Sequence, residues 1–294
     1  MQKIKIVSDT ASDITIKEAE ALGILILPFK VLMGDKEYKE GYDFSKEDFY
    51  KMLAESENIP THSQVTPFEY LETIINLYNE GYEHIVIVPI NQNGSSTFQS
   101  ALTARMQFMG EYPDAKIGIH IINGLTYTNG YGYPVKHAAE LASKNGDIDE
   151  VLKFFEEWFS RFELYFTTFE LKYAKHSGRI GKAAAIAGEL LGIKPIICLT
   201  AGESVTAQKV RSIPKAMENL IEIAKERIGS DGVYTLVTGD NEKEFKEFKK
   251  LAKAELKKNP IDCTNIGACI SINAGPQVLG IGFLGEKREM QVIY

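Results

Sequence analysis

Four short segments of the sequence are rich in hydroxyl and amide side chains, which donate hydrogen bonds to anions. They span residues 8–13, 61–64, 91–97 and 123–126. None contains a lysine or an arginine, so any anion would be held there by neutral donors. The third segment leads into a predicted helix at about Thr97, where unpaired backbone N–H groups and the positive end of the helix dipole favour one carboxylate or phosphate. Each segment alone is also typical of a helix cap or a turn.

Motifs for nucleotide chemistry are missing from the sequence. No GxxxxGK[ST] segment is present, which excludes a P-loop, and no GxGxxG follows the first predicted strand. A pairing of His62 with Ser95 or Ser96 is the best candidate for a nucleophile and its base, with free N–H groups near Ser96 as an oxyanion hole. No nucleophile elbow of the form GxSxG accompanies it.

The cysteines favour neither a metal site nor disulfides. Cys198, Cys263 and Cys269 lie in apolar, strand-like runs, which predicts buried and reduced thiols. The spacing between Cys263 and Cys269 fits no zinc motif, and no histidine stands nearby to complete one. We therefore expect no metal and no cofactor.

Strand and helix patterns alternate along the first half of the chain, which indicates βαβ units and a mostly parallel sheet. In such sheets ligands gather at the carboxyl ends of the strands, where the four polar segments would meet. The predicted strands span residues 4–7, 24–33, 84–90 and 116–122, and the predicted helices span residues 45–54, 66–79, 97–109 and 129–143.

The pattern begins anew after a polar turn at residues 144–147, which places a domain boundary near residue 148. We therefore predict an α/β fold of two α/β domains with mostly parallel sheets, residues 1–148 and 149–294, and a cleft between them. A hairpin is expected to turn at residues 201–203. The remaining predicted strands span residues 164–169, 193–200, 234–238 and 263–272. One predicted helix starts at Glu150, and three others span residues 183–191, 213–228 and 242–257.

Composition limits the possible partners. The chain of 294 residues has a net charge of -7, which disfavours nucleic acid and anionic membrane surfaces as main partners. Its apolar runs are far shorter than the ~20 residues of a membrane helix, and the N-terminus lacks the apolar core of a signal peptide. We expect a cytoplasmic monomer without stable membrane insertion.

Five separated segments of the sequence resemble, in order and spacing, the motifs of the DegV family of bacterial proteins, whose characterised members bind fatty acids. The resemblance covers nearly the whole chain and implies a DegV-like fold. The segments are SDTASDI at 8–14, PTHSQVT at 60–66, INQNGSSTFQSA at 90–101, KHSGRI at 175–180 with LLGIKPI at 190–196, and NAGPQVLG at 273–280.

The resemblance implies a lipid-binding protein rather than an enzyme. Such a protein holds a long-chain fatty acid with its chain in a buried tunnel and its carboxylate near the interdomain cleft. A separate ATP-binding fatty acid kinase subunit then converts the carboxylate to an acyl phosphate for phospholipid synthesis. The first domain would carry the head-group loops. The second would supply the tunnel, with Phe154, Phe155, Phe159, Phe166, Phe169 and the helix at 183–191 as apolar material.

Three positions that hold the carboxylate in the family carry different residues here, namely His62, Gln92 and Asn273. All three side chains can still donate a hydrogen bond. Lys209 and Arg211 match the family's KVR segment, which implies a docking surface for the kinase subunit. The ligand-binding candidates are Thr61, His62, Ser63, Asn91, Gln92, Ser95, Ser96, Thr97, Arg179, Asn273 and Gly275.

The three replacements leave two alternatives open. The chain could be a sensor or carrier of a different small acid, since the head-group positions have changed together. It could also be a hydrolase or transferase that uses His62 with Ser95 or Ser96.

Overall fold

A computed structural model describes residues 2–179 and 192–294 of the chain. The predicted helix at 183–191 lies outside these residues. The structure has an α/β fold, as predicted, with three sheets of four, six and three strands.

The four-stranded sheet lies in the first half of the chain, and all its strands are parallel, as the βαβ pattern predicts. Its order is β2-β1-β6-β7. Its members are β1 (Ile4–Asp9), β2 (Leu25–Leu27), β6 (His84–Val88) and β7 (Gly118–Ile121).

The predicted strand at 24–33 is divided between two sheets. After β2, the chain passes Phe29 and enters β3 (Lys30–Met33), the middle strand of an antiparallel three-stranded sheet. The outer strands are β4 (Lys36–Lys39) and β5 (Thr61–Ser63). A continuous apolar run does not reveal such a change of sheet, because both pieces are mainly apolar and partly buried.

Capping residues fix where the helices around these strands begin. Ser45 and Thr66 each form a capping box with the acidic residue at the third helical position, as the sequence indicates. The helices of this part are α1 (Ile16–Leu22), α2 (Lys46–Glu55), α3 (Pro67–Asn79), α4 (Thr97–Glu111), α5 (Asn129–Asn145) and α6 (Ile148–Arg161).

The six-stranded sheet of the second half has the order β10-β9-β8-β13-β11-β12. Only β11 and β12 run parallel, which corrects the mostly parallel pairing predicted for this half. One cause is the predicted hairpin: β9 and β10 are joined by a short turn, which forces them to run antiparallel. The strands are β8 (Phe162–Thr168), β9 (Lys194–Thr200), β10 (Glu203–Val210), β11 (Tyr234–Thr238), β12 (Asp262–Asn265) and β13 (Val278–Leu284).

The predicted strand at 263–272 is in fact a short strand followed by a helix. The edge strand β12 ends at Asn265, and helix α10 (Ala268–Ala274) starts just after Gly267. Because β12 lies at the sheet edge, Cys263 is exposed, whereas Cys198 and Cys269 are buried as predicted. The other helices of this half are α7 (Leu171–Ser177), α8 (Ile213–Arg227) and α9 (Glu242–Leu256).

A buried carboxylate fixes the loop that follows β6. Asp9 lies at the end of β1 and is fully buried. One of its oxygens accepts a hydrogen bond from the backbone N–H of Ile90 at 2.9 Å, and the other accepts from Ala11 N–H at 3.1 Å and from the Tyr131 hydroxyl at 2.6 Å. Asp9 therefore joins the first polar segment to the residue that immediately precedes the third.

Two more buried carboxylates from the first half hold helix α10. Asp13 Oδ1 accepts from Gly267 N–H at 2.6 Å, and Glu40 Oε1 accepts from Cys269 N–H at 3.0 Å. The Lys46 ammonium lies 3.6 Å from Asp13 Oδ1 and partly offsets the negative charge of the ionised Asp13. The N–H groups at the start of α10 are thus satisfied by side chains from a distant part of the sequence.

Burial makes the ionised forms of these carboxylates costly. It raises the pKa of Asp9 and of Asp13 to about 7, and it also raises the pKa of Glu40. The folded protein therefore keeps a proton on these groups at pH values where the unfolded chain has lost it.

We predict that Asp13→Asn changes the pH dependence of stability. In the natural protein, Asp13 binds its proton more tightly when folded, so its contribution to stability is complete below pH 4 and is lost as the pH rises through about 7. Asparagine does not titrate but keeps an oxygen for Gly267 N–H. The unfolding free energy of the variant relative to the natural protein should therefore rise by about 1 kcal/mol per pH unit between pH 5 and 7. Urea titrations at pH 5, 6, 7 and 8 measure it, and a difference that stays constant with pH would contradict the assignment.

Candidate functional site

A cavity lies between the six-stranded sheet and the loops of the first half. Its cavity volume is about 70 Å³, and the wider space between its lining residues, about 740 Å³, includes open solvent. Most of the wall is apolar, as in pockets that bind organic ligands. The apolar wall consists of Phe29, Ile90, Leu164, Phe166, Leu199, Val237, Ile266, Ile270, Ala274 and Val278, and the polar lining consists of His62, Ser95, Tyr127, Thr128, Arg179, Ser204 and Asn273.

Strand periodicity explains which residue of the 61–63 segment reaches the cavity. The three residues form β5, in which successive side chains point to opposite faces. His62 is partly buried and lines the cavity, whereas Thr61 and Ser63 are exposed and do not.

His62 forms a compact cluster with two residues of α10. Its Nε2 atom lies 2.8 Å from the amide nitrogen of Asn273, and its Nδ1 atom lies 4.0 Å from Cys269 Sγ. The Asn273 amide nitrogen also donates to the backbone carbonyl of Cys269 at 2.6 Å, which fixes the orientation of the amide. An amide nitrogen can only donate, so Nε2 of His62 is the acceptor and carries no proton.

The surroundings of His62 favour its neutral form. Burial lowers the pKa of His62, and the nearby positive charge of Arg179 lowers it further. The ring is therefore neutral at pH 7, with its proton on Nδ1 facing Cys269. A ring with this tautomer cannot accept a proton from the Cys269 thiol, and burial also raises the pKa of that thiol well above its usual range.

The structure does not bring His62 together with either candidate serine. Ser95 Oγ lies 2.8 Å from Thr97 Oγ1, and Ser96 is the exposed N-cap of α4. Within residues 2–179 and 192–294, the polar neighbours of the His62 ring are Asn273 and Cys269.

The asparagines that follow β6 bind the hairpin turn rather than the cavity. The Asn91 amide nitrogen donates to the carbonyl of Gly202 at 2.8 Å, and Asn93 donates to the same carbonyl at 3.2 Å and to Glu203 at 2.9 Å. Gln92 is exposed and donates its backbone N–H to Asn123. Asn91, Gln92 and the buried Thr97 do not line the cavity.

Arg179 reaches the cavity from the end of the first described range. Its Nη1 atom donates to the carbonyl of Gly94 at 2.6 Å, so the guanidinium lies beside the loop that carries Ser95. The side chain is exposed and also lines the opening of the cavity. Arg179 and Ser95, two of the ligand-binding candidates, thus both lie at this cavity.

The other candidates lie elsewhere. Gly275 ends α10 with a φ of +90°, a conformation that L side chains rarely adopt, and it does not line the cavity. Lys209 and Arg211 are exposed, Lys209 on the edge strand β10 and Arg211 just beyond it.

Sequence reasoning missed three polar residues of the cavity wall, Tyr127, Thr128 and Ser204. Tyr127 lies one residue beyond the polar segment at 123–126, and its hydroxyl packs against Gly94. A glycine in a loop is a sequence signal for such a close approach, but it does not identify the approaching side chain. Ser204 follows the hairpin turn and carries no signal of its own.

Of the five phenylalanines predicted for the tunnel, only Phe166 lines the cavity. Phe155 and Phe159 on α6 are almost fully buried and stack on each other with ring centres 5.9 Å apart. Trp158 donates to the Gly130 carbonyl of α5 at 2.8 Å. Helix α6 therefore uses its aromatic side chains to pack against α5.

Two negative findings apply to residues 2–179 and 192–294. No group of three or more histidine, cysteine, aspartate or glutamate side chains could hold a metal ion. No helix in these ranges is both long and apolar enough to cross a membrane.

Comparison with known proteins gives consistent matches over nearly the whole chain. The model of a family described as uncharacterised protein, DegV family, matches residues 3–286. A DegV domain-containing protein from Caldanaerobacter subterraneus subsp. tengcongensis is 30% identical over 290 residues, which cover 98% of this chain and 100% of the relative.

Solved structures share the fold. A fatty acid-binding DegV family protein from Streptococcus agalactiae superposes with a TM-score of 0.84 at 24% identity, over 98% of this chain and 100% of that chain. A stearic acid-binding protein from Eubacterium ventriosum gives a TM-score of 0.81 at 23% identity, over 97% of this chain and 98% of that chain.

We predict that the His62 ring is neutral and carries its proton on Nδ1. In the natural protein at pH 7.5, two-dimensional ¹⁵N–¹H NMR should show a neutral ring protonated at Nδ1, because Asn273 donates to Nε2. In Asn273→Ala the ring should shift toward the form protonated at Nε2. His137 on α5 is an internal control whose signals should not change. A natural protein with the proton on Nε2 would contradict the geometry.

Proposed function

This chain belongs to the DegV family, and from that premise we propose that it binds a long-chain fatty acid in its cavity and presents the carboxylate to a separate ATP-dependent kinase subunit. The observation that carries the proposal is the cavity itself, with a mostly apolar wall that also contains polar groups. The solved structures that share its fold include proteins described as binding stearic acid, vaccenic acid and heptadecanoic acid.

The apolar wall suits an alkyl chain. Each CH₂ group removed from water contributes about 0.8 kcal/mol, so a long chain gains most of its binding energy from such a wall. Leu164 and Phe166 on β8, Leu199 on β9 and Val237 on β11 come from neighbouring parts of the same sheet. In our proposal residues 149–294 thus supply most of the sheath, and residues 1–148 supply most of the head-group loops.

The charge of the wall suits an acid. Among the described residues that line the cavity, Arg179 carries a permanent positive charge, and no aspartate or glutamate lines it. Ser95 lies immediately before the first turn of α4, whose N-cap Ser96 makes no side-chain cap hydrogen bond. A carboxylate near Ser95 and Arg179 would meet hydrogen-bond donors and a positive potential.

The kinase step is proposed from the family resemblance and supported by the exposed cations on β10 and beside it. A carboxylate oxygen would attack the terminal phosphorus of ATP, the bond to the bridging oxygen would break, and ADP would leave. This chain would hold the acid, and the partner would bind ATP. Lys209 and Arg211 are exposed at the end of β10 that lies away from the hairpin turn, and in our proposal the partner docks on this end of the strand.

We predict that filling the cavity abolishes fatty acid binding. In Leu199→Trp the larger ring would occupy the space of the alkyl chain, so delipidated protein should bind palmitate at least tenfold more weakly than the natural protein. The matched control is Val205→Trp, which places the same ring at an exposed position on the adjacent strand and should leave affinity unchanged. Thermal melts verify that both variants fold. Undiminished binding in a folded Leu199→Trp protein would show that the acid lies elsewhere.

We also predict that the chain forms no acyl phosphate by itself. Palmitate-loaded protein with ATP, magnesium and hydroxylamine should yield no acyl hydroxamate, and a fatty acid kinase subunit should restore the product. In the restored reaction, Lys209→Glu with Arg211→Glu should lower the rate, whereas Lys243→Glu with Lys246→Glu on α9, a matched change of charge, should not. Hydroxamate formed without a partner would mean that the chain is itself the kinase.

A further inference from the structure

Tyr127 is a polar side chain of the cavity wall that no sequence motif assigns. Tyr127 lines the cavity, and its hydroxyl rests against Gly94, where an added Cβ would overlap it. The residue at position 94 must therefore be glycine for the hydroxyl to occupy this place. Tyr127 therefore packs directly on Gly94, the residue that precedes Ser95 in the loop.

The Tyr127 hydroxyl still has its proton to donate. Its polar neighbour in the described part of the chain is the Asn91 amide nitrogen at 3.5 Å, which is the donor in that contact. Asn91 makes its shorter hydrogen bond, 2.8 Å, to the carbonyl of Gly202. Burial raises the pKa of Tyr127, so the phenol keeps its proton at neutral pH.

A second donor converges on the same residue. Arg179 Nη1 donates to the Gly94 carbonyl at 2.6 Å, which leaves the other N–H groups of the guanidinium for further acceptors. The Tyr127 hydroxyl and the Arg179 guanidinium thus both pack on Gly94 and both line the cavity. One group is a neutral donor and the other a charged donor.

His62 is less able to hold an anion in this arrangement. Its Nε2 atom accepts from Asn273, and its Nδ1 proton faces Cys269, so neither nitrogen offers a free N–H to a carboxylate. To act as a donor from Nε2, the ring would have to change tautomer or gain a proton, and either change would break the bond from Asn273.

We propose that Tyr127 and Arg179 both bind the head group, and that Tyr127 adds to the preference for an ionised acid over its ester. The inference rests on the proposed function, since it assigns the head-group contacts of the same cavity. One carboxylate oxygen accepts from the Tyr127 hydroxyl and the other from the Arg179 guanidinium. A hydrogen bond to a charged acceptor is about twice as strong as one to a neutral acceptor, so an ester gains less from the same donors.

The test compares palmitate with methyl palmitate as probes of the delipidated full-length protein. Tyr127→Phe should weaken palmitate binding by about tenfold or more and methyl palmitate binding by about threefold or less. Arg179→Gln should weaken palmitate binding and leave methyl palmitate binding unchanged. The control is Tyr42→Phe, which removes the hydroxyl of a half-exposed tyrosine bonded to the Ile26 carbonyl and should change neither affinity.

A second variant separates a head-group contact from simple packing. Gly94→Ala keeps the tyrosine but displaces its hydroxyl, so it should lower the acid-to-ester affinity ratio as Tyr127→Phe does. An unchanged affinity for palmitate in Tyr127→Phe would overturn the inference, and so would an equal loss for acid and ester. A natural protein that binds neither probe would overturn the proposed function, and this inference would fall with it.

Discussion

Three buried carboxylates from the first half of the chain hold the backbone around the cavity. Asp9 binds the N–H of Ile90, Asp13 binds the N–H of Gly267, and Glu40 binds the N–H of Cys269. Burying a carboxylate costs free energy unless it is hydrogen-bonded, and these bonds provide the compensation. The positions of the 90–97 loop and of α10 therefore depend on the same cluster, and so do the side chains that those segments place in the cavity.

The apolar and polar parts of the cavity wall come largely from different kinds of structure. Strands of the six-stranded sheet supply half of the apolar wall residues, and loops supply most of the polar groups, with His62 and Ser204 on strands and Asn273 on α10. A sheet gives a rigid surface for an alkyl chain, whereas loops bring backbone and side-chain donors close together. The bonds from Asn91 and Asn93 to the hairpin turn fix the loop to the sheet, so the two parts keep one arrangement.

Much of this fold was predictable from sequence, because periodicity and capping residues are local signals. The parallel sheet of the first half, the helix starts at Ser45 and Thr66, and the β9–β10 hairpin follow from them. The change of sheet after Leu27 and the antiparallel pairing of the second half were not predictable in this way. Those features depend on which strands meet in space, and the pattern within one strand does not record its neighbour.

The candidate site was predictable in part for the same reason. Motif matches located His62, Ser95, Arg179 and Asn273, which the structure brings to one cavity. The motif matches did not predict that Thr61 and Ser63 point away from the cavity, or that the Asn91 amide donates to a carbonyl of the hairpin turn. Tyr127 went unnoticed because its role depends on contact with Gly94, which is 33 residues away in the sequence.

The central claim is that a long-chain fatty acid occupies the cavity. Denaturing extraction of the freshly purified protein, followed by mass spectrometry of the extract, tests it most directly. We expect a long-chain fatty acid in stoichiometric amount, with the Leu199→Trp protein purified in parallel yielding little. An extract without fatty acid, or with a different small acid in stoichiometric amount, would contradict the claim.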